Sequence, residues 1–200
     1  MSAMTAPELD AWASQERILT VDDMADMPDD EFRYELDDGV LIVSPAPSNL
    51  HQRAVTRLAV LLSTACPQGL EVFAGVGVNI NRFQHRVPDV VVASAEDSDA
   101  LFQESPPLLV VEVASPRTRL YDRNRKKDVY ESFAIPAYWI VDPDRDKPTL
   151  TVFELRDGKY DQVAVVTGAD AFEATIPFPV RVVPAELITC LLYTSDAADE

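Results

Sequence analysis

Hydrophobic and polar residues alternate with a strand-like period in some parts of the chain and recur at helical spacing in others. This mixture predicts an α/β fold with a mixed sheet and flanking helices. Residues 32–36 and 40–43 are predicted strands joined by Asp37-Asp38-Gly39, because Asp-Gly between two apolar runs is typical of a β-hairpin. Residues 49–65 form a predicted helix, with apolar positions three and four residues apart.

The rest of the pattern extends the sheet on both sides of a second helix. Residues 108–113 are apolar apart from one acid, which is typical of a strand covered on both faces. The other predicted elements, in chain order, are a helix near 20–27 with a Thr20/Asp23 capping box, strands at 72–80 and 90–93, a helix at 122–134, and strands at 138–141, 150–155, 160–166 and 172–176. The last three strands would form an antiparallel C-terminal extension.

The length of the chain suits one domain with a substantial core. We expect a flexible leader over residues 1–17, one domain over 18–189 and a tail over 190–200. The tail resembles a translated sequencing adapter, so we do not expect it to contribute to the fold. The alternative is an ordinary disordered tail.

Composition excludes several classes of protein. Apolar residues make up 47% of the chain, yet no run approaches the roughly 20 residues of a membrane-spanning helix. The first residues lack the basic start and apolar stretch of a signal peptide. We therefore expect a cytoplasmic protein with no membrane partner. Cys66 and Cys190 are too few for a disulfide framework or a cysteine-based zinc site.

The net charge of −17, from 34 acidic and 17 basic residues, argues against a nucleic-acid partner, because affinity for phosphates comes largely from Lys and Arg. The distribution of charge weakens that objection. Six basic residues fall close together and could make one face locally positive: Arg117, Arg119, Arg123, Arg125, Lys126 and Lys127.

Glu112 is the most informative residue because it interrupts an otherwise apolar strand. A buried carboxylate costs several kcal/mol unless it is paired or bound to a metal. Asp89 opens the apolar run at 90–93, directly after Pro88. On neighbouring strands, these two carboxylates and a backbone carbonyl would suit Mg²⁺. The alternatives are a buried salt bridge from Glu112 to an arginine and a simple Pro-Asp turn at Asp89.

Lys126 has an unusual position on the second predicted helix. It shares one helix face with Val129, Tyr130 and Phe133, so it lies in the middle of an apolar stripe. Either its side chain extends along the protein surface to water, or its ammonium points at the two carboxylates. In the second arrangement it could hold a nucleophilic water or stabilise a pentacovalent phosphate.

Several short motifs, taken in order, together resemble one known family: Tyr34-Glu35-Leu36 with Gly39, Pro88-Asp89, Val111-Glu112-Val113 with Ser115-Pro116, Asp122 with Lys126 and Tyr130, and Ile135-Pro136 with Tyr138-Trp139-Ile140-Val141-Asp142-Pro143. Over about residues 20–178 their order and spacing are similar to the Uma-two family of restriction-endonuclease-like proteins, in the PD-(D/E)XK nuclease superfamily. The chain departs from the family pattern at Ala134 and Ala137. The superfamily lysine, two residues after the second acid, is Ala114 here, and Lys126 fits a lysine moved to the next helix.

That resemblance implies a restriction-endonuclease-like core and a metal-dependent endonuclease that hydrolyses phosphodiester bonds in nucleic acid, with DNA the favoured polymer. Asp89, Glu112 and the Val113 carbonyl would hold Mg²⁺ or Mn²⁺. Lys126 would position the attacking water, and Glu35 would be an additional acid near the metal. Four arginines would grip flanking phosphates: Arg117, Arg119, Arg123 and Arg125.

Two other functions stay open at this point. The acidic balance favours a catalytically silent interaction or regulatory module that keeps the nuclease fold, and a phosphoesterase for small nucleotides would need the same metal site. The oligomeric state is open as well, although a homodimer would suit double-strand cutting. Among single residues, Glu35 could instead face solvent, His51 is expected to cap a helix or lie on the surface, and His85 is expected in a loop.

Overall fold

The computed structural model describes residues 18–28, 30, 32–97, 99–115 and 119–189. The predicted leader over 1–17 and the predicted tail over 190–200, which contains Cys190, lie outside these described residues. Arg117 does as well, so its predicted phosphate contact has no structural counterpart. The proposed domain limits stay a prediction.

The described chain forms twelve strands and five α-helical segments, with a π-helical turn between the third and fourth helices. In chain order the elements are α1 (Val21–Met24), β1 (Arg33–Asp37), β2 (Val40–Ser44), α2 (Asn49–Ala65), β3 (Leu70–Ala74), β4 (Val78–Asn81), β5 (Gln84–Arg86), β6 (Val90–Ser94), β7 (Leu109–Val113), α3 (Arg119–Tyr121), the π turn (Asp122–Lys126), α4 (Lys127–Ser132), β8 (Ala137–Asp142), β9 (Thr149–Arg156), β10 (Lys159–Thr167), β11 (Phe172–Ala174), β12 (Val180–Val182) and α5 (Pro184–Ile188).

The main sheet has six strands in the order β10-β9-β8-β7-β6-β3. Strands β7 and β8 are parallel and all other neighbours in this sheet are antiparallel, which confirms the predicted mixed sheet. Helix α2 covers one face with Ala54, Leu58 and Leu62, all fully buried. Because both faces of β7 are covered, every residue of that strand is buried, as its apolar sequence predicts.

A second sheet, in the order β2-β1-β5-β4, lies beside the main one. Its β1–β2 hairpin is the one predicted, and the turn places Asp38 and Gly39 at positive φ, 50° and 79°. The chain crosses between the two sheets after β3 and again before β6, where Asp89 lies. This crossing brings β1 of the second sheet close to the ends of β6 and β7.

Two sequence predictions in this region are wrong. Residues 72–80 were expected to form one strand, but β3 and β4 belong to different sheets because the chain turns at Gly75, where φ is 69°. His85 was expected in a loop, but it lies buried in β5 and pairs in register with Leu36. A short polar strand such as Gln84–Arg86 carries no apolar alternation that sequence reasoning could detect.

All three predicted helices are present, and two of them have ends that differ from the prediction. Helix α2 has the predicted limits, and the capping box before α1 is present, with the Thr20 amide donating to Asp23 Oδ2 at 2.8 Å. The helix expected at 122–134 begins earlier, at Arg119, and contains the π turn before α4. It ends before Ala134, whose φ of 57° terminates the helical path.

Strands β9 and β10 extend the main sheet in antiparallel fashion, as predicted. The third strand of the predicted extension does not join them, because β11 pairs with β12 in a separate two-stranded sheet. β9 and β10 form the predicted hairpin around Asp157 and Gly158, and β9 adds to the sheet beside β8. The predicted strand at 172–176 is shorter, and β12 and α5 were not predicted. No helix in the described part of the chain is both long enough and apolar enough to span a bilayer.

Candidate active site

Asp89 and Glu112 are brought together by the pairing of β6 with β7. Val90 pairs with Val111 in that antiparallel ladder, so continuing the register by one residue places Asp89 opposite Glu112. The amide of Val113 donates a hydrogen bond to Asp89 Oδ2 at 2.7 Å. The two carboxylates therefore lie on neighbouring strands, as the sequence predicts.

Asp89 is buried and has two further partners from other elements. Arg33 Nη2, on β1, donates to Asp89 Oδ1 at 2.9 Å, and His51 Nε2, in the first turn of α2, lies 3.1 Å from Asp89 Oδ2. Burial alone would raise the pKa of Asp89, but the hydrogen bond from His51 and the charge of Arg33 lower it. The carboxylate is therefore ionised and fixed in orientation, which excludes a simple turn role.

Lys126 connects the acids of the two sheets. Its Nζ donates to Glu112 Oε1 at 2.9 Å and to Glu35 Oε1 at 3.1 Å. Only 5% of Lys126 is exposed, so the alternative in which its side chain reaches surface water is wrong. Its position on the π turn is notable, because π turns within helices frequently occur at functional sites.

Glu112 is held by the helix that follows the π turn as well. The hydroxyl of Tyr130 donates to Glu112 Oε1 at 2.6 Å, so one carboxylate oxygen accepts from both Tyr130 and Lys126. Burial, together with the negative charges of Asp89, Asp122 and Glu35, raises the pKa of Glu112 to about 8 despite the nearby ammonium. The alternative prediction was a buried salt bridge from Glu112 to an arginine, but the partner in the structure is Lys126.

Glu35 faces the interior and lies in the same network, so the alternative in which it faces solvent is wrong. The amide of Val87 donates to Glu35 Oε1 at 3.0 Å, and Lys126 approaches the same oxygen. Burial would raise the pKa of Glu35, but the charge of Lys126 and the Val87 amide lower it. Glu35 is thus an ionised acid that shares its lysine with Glu112.

A hard divalent cation fits the chemistry of these donors. Carboxylate and carbonyl oxygens are the ligands that Mg²⁺ prefers, and a cation would relieve the repulsion that raises the pKa of Glu112. Among the described residues, no group of three or more His, Cys, Asp and Glu side chains is arranged to hold a metal ion. A cation here would therefore rely on two carboxylates, the carbonyl of buried Val113, and outer ligands from water and phosphate.

Comparison with known proteins gives the family. The sequence model of Uma2, described as "Putative restriction endonuclease", matches residues 21–186. The chain belongs to the Uma2 family. A crystal structure from Anabaena variabilis ATCC 29413, described as a putative nuclease belonging to DUF820, is similar with a TM-score of 0.66 and 18% sequence identity, over 85% of this chain and 97% of that one. This likeness confirms the predicted fold class. No curated protein matches the chain.

The arginines that were predicted to bind phosphate have different surroundings in this Uma2 chain. Arg119 pairs with Asp142 at 2.9 Å, and Arg125 pairs with Asp37 at 2.8 Å and contacts Asp38. Arg123 is exposed. Two of the predicted phosphate-binding residues are therefore already held by carboxylates, and neither is brought to the acids around Lys126.

Three side chains that contact the acids of the candidate site were not assigned a role from the sequence: Arg33, His51 and Tyr130. Arg33 is two residues from Glu35 on β1, so strand alternation places both on one face, and Tyr130 is one helical turn beyond Lys126. These spacings were available as signals. His51 lies in the first turn of a helix, a position that indicates only a capping role. Nothing in the sequence predicted its contact with Asp89.

Proposed function

We propose that this Uma2 protein is a Mg²⁺- or Mn²⁺-dependent endonuclease that hydrolyses phosphodiester bonds in nucleic acid, with DNA the favoured polymer. The observation that carries the proposal is the convergence of Asp89, Glu112, Glu35 and Lys126 from four separate elements into one buried cluster. Membership of a restriction-endonuclease family supports nucleic acid as the substrate.

Asp89, Glu112 and the Val113 carbonyl would hold the cation at the adjoining ends of β6 and β7. When bound, the cation supplies Lewis acidity to the scissile phosphate and to the attacking water. The protein fixes both acids beforehand: His51, Arg33 and the Val113 amide orient Asp89, and Tyr130 orients Glu112. Such preorganisation means that little reorganisation is needed during the reaction.

Hydrolysis adds one water across a P–O ester bond. The water oxygen forms the new bond to phosphorus, the ester oxygen leaves, and the proton released by water ends on that leaving oxygen. The Lys126 ammonium would hold the water or offset the charge that builds up on the phosphate. Arg33, whose side chain is 27% exposed, would bind an adjacent phosphate oxygen while keeping its contact with Asp89.

The second candidate is a silent module that keeps the fold. Its supporting observation is that Lys126 already pairs with two carboxylates, an arrangement that also stabilises purely structural ion-pair networks. The predicted DNA-gripping residues Arg119 and Arg125 are likewise held by acids, and the net charge is −17. This candidate predicts a folded protein without cleavage activity.

Cleavage assays separate the two candidates. Purified protein is incubated with supercoiled plasmid, single-stranded DNA and RNA in Mg²⁺, Mn²⁺ or EDTA. We expect metal-dependent cleavage that Asp89→Asn and Glu112→Gln abolish, while Asp161→Asn, a change of an exposed acid on β10, leaves it intact. Absence of cleavage from every polymer with either metal, by a folded wild-type protein, would favour the silent module.

A further inference from the structure

A groove of about 510 Å³ lies directly beside the acidic cluster, between α1, the start of β1 and residues 101–102. Much of its lining is apolar or aromatic, and the side chains that matter here are Met24, Met27, Phe32, Leu101 and Phe102. Its volume lies within the range of small-molecule sites in proteins. We call this feature the Phe32 groove.

Three residues that line the Phe32 groove also contact acids of the candidate active site. Arg33 holds Asp89 Oδ1 at 2.9 Å, and the Val87 amide donates to Glu35 Oε1 at 3.0 Å. The amide of Gly75 donates to the backbone carbonyl of Asp89 at 3.2 Å. A molecule in the groove would therefore meet the Arg33 guanidinium, which in turn holds the Asp89 carboxylate.

One part of the groove wall is accessible, and another part is held in place by packing. Phe32 is 42% exposed, and Leu101 is exposed. Phe102 packs edge-on against His85 with ring centroids 4.8 Å apart, and Gly77 lies so close to both rings that a Cβ there would be 2.5 Å from His85 and 2.6 Å from Phe102. The groove thus offers the accessible apolar ring of Phe32 and the firmly packed ring of Phe102.

We propose that the Phe32 groove holds one unpaired base of the nucleic-acid substrate, while the phosphate attached to that nucleotide lies against Arg33 beside the acids. A base is flat and apolar on its faces, and aromatic side chains bind unpaired bases by stacking. The Arg33 guanidinium beside the groove carries the positive charge that would match the negative phosphate of a nucleotide. This inference rests on the proposed nuclease function.

A base in the Phe32 groove would restrict the class of substrate. Bases in a regular duplex are stacked and paired, so a base can enter the groove only from a single strand or after displacement from the duplex. The protein would therefore act on single strands, ends, loops or distorted duplex in preference to regular double-stranded DNA.

A binding experiment with a matched pair of variants tests this. Phe32→Ala removes the accessible ring of the groove, and Phe83→Ala removes a ring of nearly equal exposure, 41%, that does not line the groove. Fluorescence anisotropy is measured with a short labelled single strand and with an otherwise identical strand in which abasic residues replace the bases. The buffer contains EDTA so that metal-dependent cleavage does not consume the strands, whose integrity is checked on a gel. Leu101→Ala serves as a second groove variant.

We expect wild type and Phe83→Ala to bind the base-bearing strand roughly tenfold more tightly than the abasic strand, with the difference largely lost in Phe32→Ala and reduced in Leu101→Ala. Equal ratios of the two affinities in wild type, Phe32→Ala and Phe83→Ala would overturn the inference, and would mean that the groove is empty in the complex or takes an apolar segment of protein.

The same experiment keeps the two proposals apart. Base-dependent binding that requires Phe32, in a protein that cleaves no polymer, would refute the nuclease proposal and support the groove. Metal-dependent cleavage, together with equal affinity for the base-bearing and abasic strands, would support the nuclease proposal and refute the groove proposal.

Discussion

Lys126 Nζ lies 2.9 Å from Glu112 Oε1, and both side chains are almost completely buried. Replacing Lys126 by Met keeps most of the apolar stem but leaves Glu112 and Glu35 without their buried counter-charge. We expect K126M to lower the free energy of unfolding by about 3 kcal/mol, measured by urea denaturation, and to abolish cleavage.

Lys159→Met is the control for that variant, because the Lys159 ammonium pairs with Glu131 at 2.6 Å but is 81% exposed. An exposed pair contributes at most about 1 kcal/mol, so K159M should unfold close to wild type. The double variant E112Q/K126M should lose less stability than the two single losses added together, because it removes both partners. Strict additivity would show that Lys126 and Glu112 do not interact.

Tyr130→Phe tests the hydrogen bond that orients Glu112. The change removes one hydroxyl and its 2.6 Å contact while keeping the buried ring. We expect a stability loss of about 1–2 kcal/mol and a clear fall in cleavage rate. Tyr160→Phe removes a comparable buried hydroxyl, which donates to the Ile135 carbonyl at 2.8 Å away from the acids. Tyr160→Phe should lose a similar amount of stability with no change in cleavage rate. If both variants changed the cleavage rate equally, Tyr130 would have no specific role in cleavage.

His51→Ala tests a positioning residue. His51 Nε2 lies 3.1 Å from Asp89 Oδ2, so its removal should let the Asp89 carboxylate rotate away from the predicted metal position. We expect the affinity for Mn²⁺, measured by calorimetry, to fall about tenfold, as for other residues that orient metal ligands. Gln52→Ala, the exposed neighbour on α2, is the control. Unchanged Mn²⁺ affinity in H51A would remove His51 from the site.

His85 gives a pH dependence whose sign is fixed by burial. Burial lowers the pKa of His85 to about 4, with a smaller lowering from Arg86 and an opposing influence from Glu35, against 6.5 for an exposed histidine. The folded state therefore binds this proton less readily than the unfolded chain, and stability falls as the pH drops below 6.5 until it levels off near 4.

When the pH is lowered from 7 to 5, we expect the free energy of unfolding of the wild type to fall by about 2 kcal/mol more than that of His85→Gln. Urea unfolding at both pH values measures this difference. The variant removes the titrating ring, so it isolates the contribution of His85 from those of the other ionisable groups. Equal losses in the two proteins would show that folding does not lower the pKa of His85.

Glu112 and Lys126 could be found from the sequence because each interrupts an apolar pattern whose geometry is known. Burial of a charge is costly, so a charge inside such a pattern is informative by itself. The contacts of Arg33 and His51 could not be found in the same way. Arg33 lies on a hairpin strand where charge is ordinary, and its partner Asp89 is 56 positions away in another sheet. Only the pairing between strands that are distant in sequence decides which groups meet.

The fold shows the same limit. Helix α2 was predictable to its ends because its periodicity is strong and Ser48 caps it, with its hydroxyl accepting from the His51 amide. The break between β3 and β4 was not, because apolar alternation continues across Gly75 although the chain passes from one sheet to the other there. Local pattern gives the type of an element, and tertiary pairing decides where it stops.

A crystal soaked in Mn²⁺ shows whether the cluster around Asp89 and Glu112 holds a divalent cation. We predict one anomalous-scattering peak within about 2.2 Å of carboxylate oxygens from both Asp89 and Glu112, with the Val113 carbonyl also in contact. Soaked crystals without a peak between those two acids, with Lys126 still bridging Glu112 and Glu35, would contradict it.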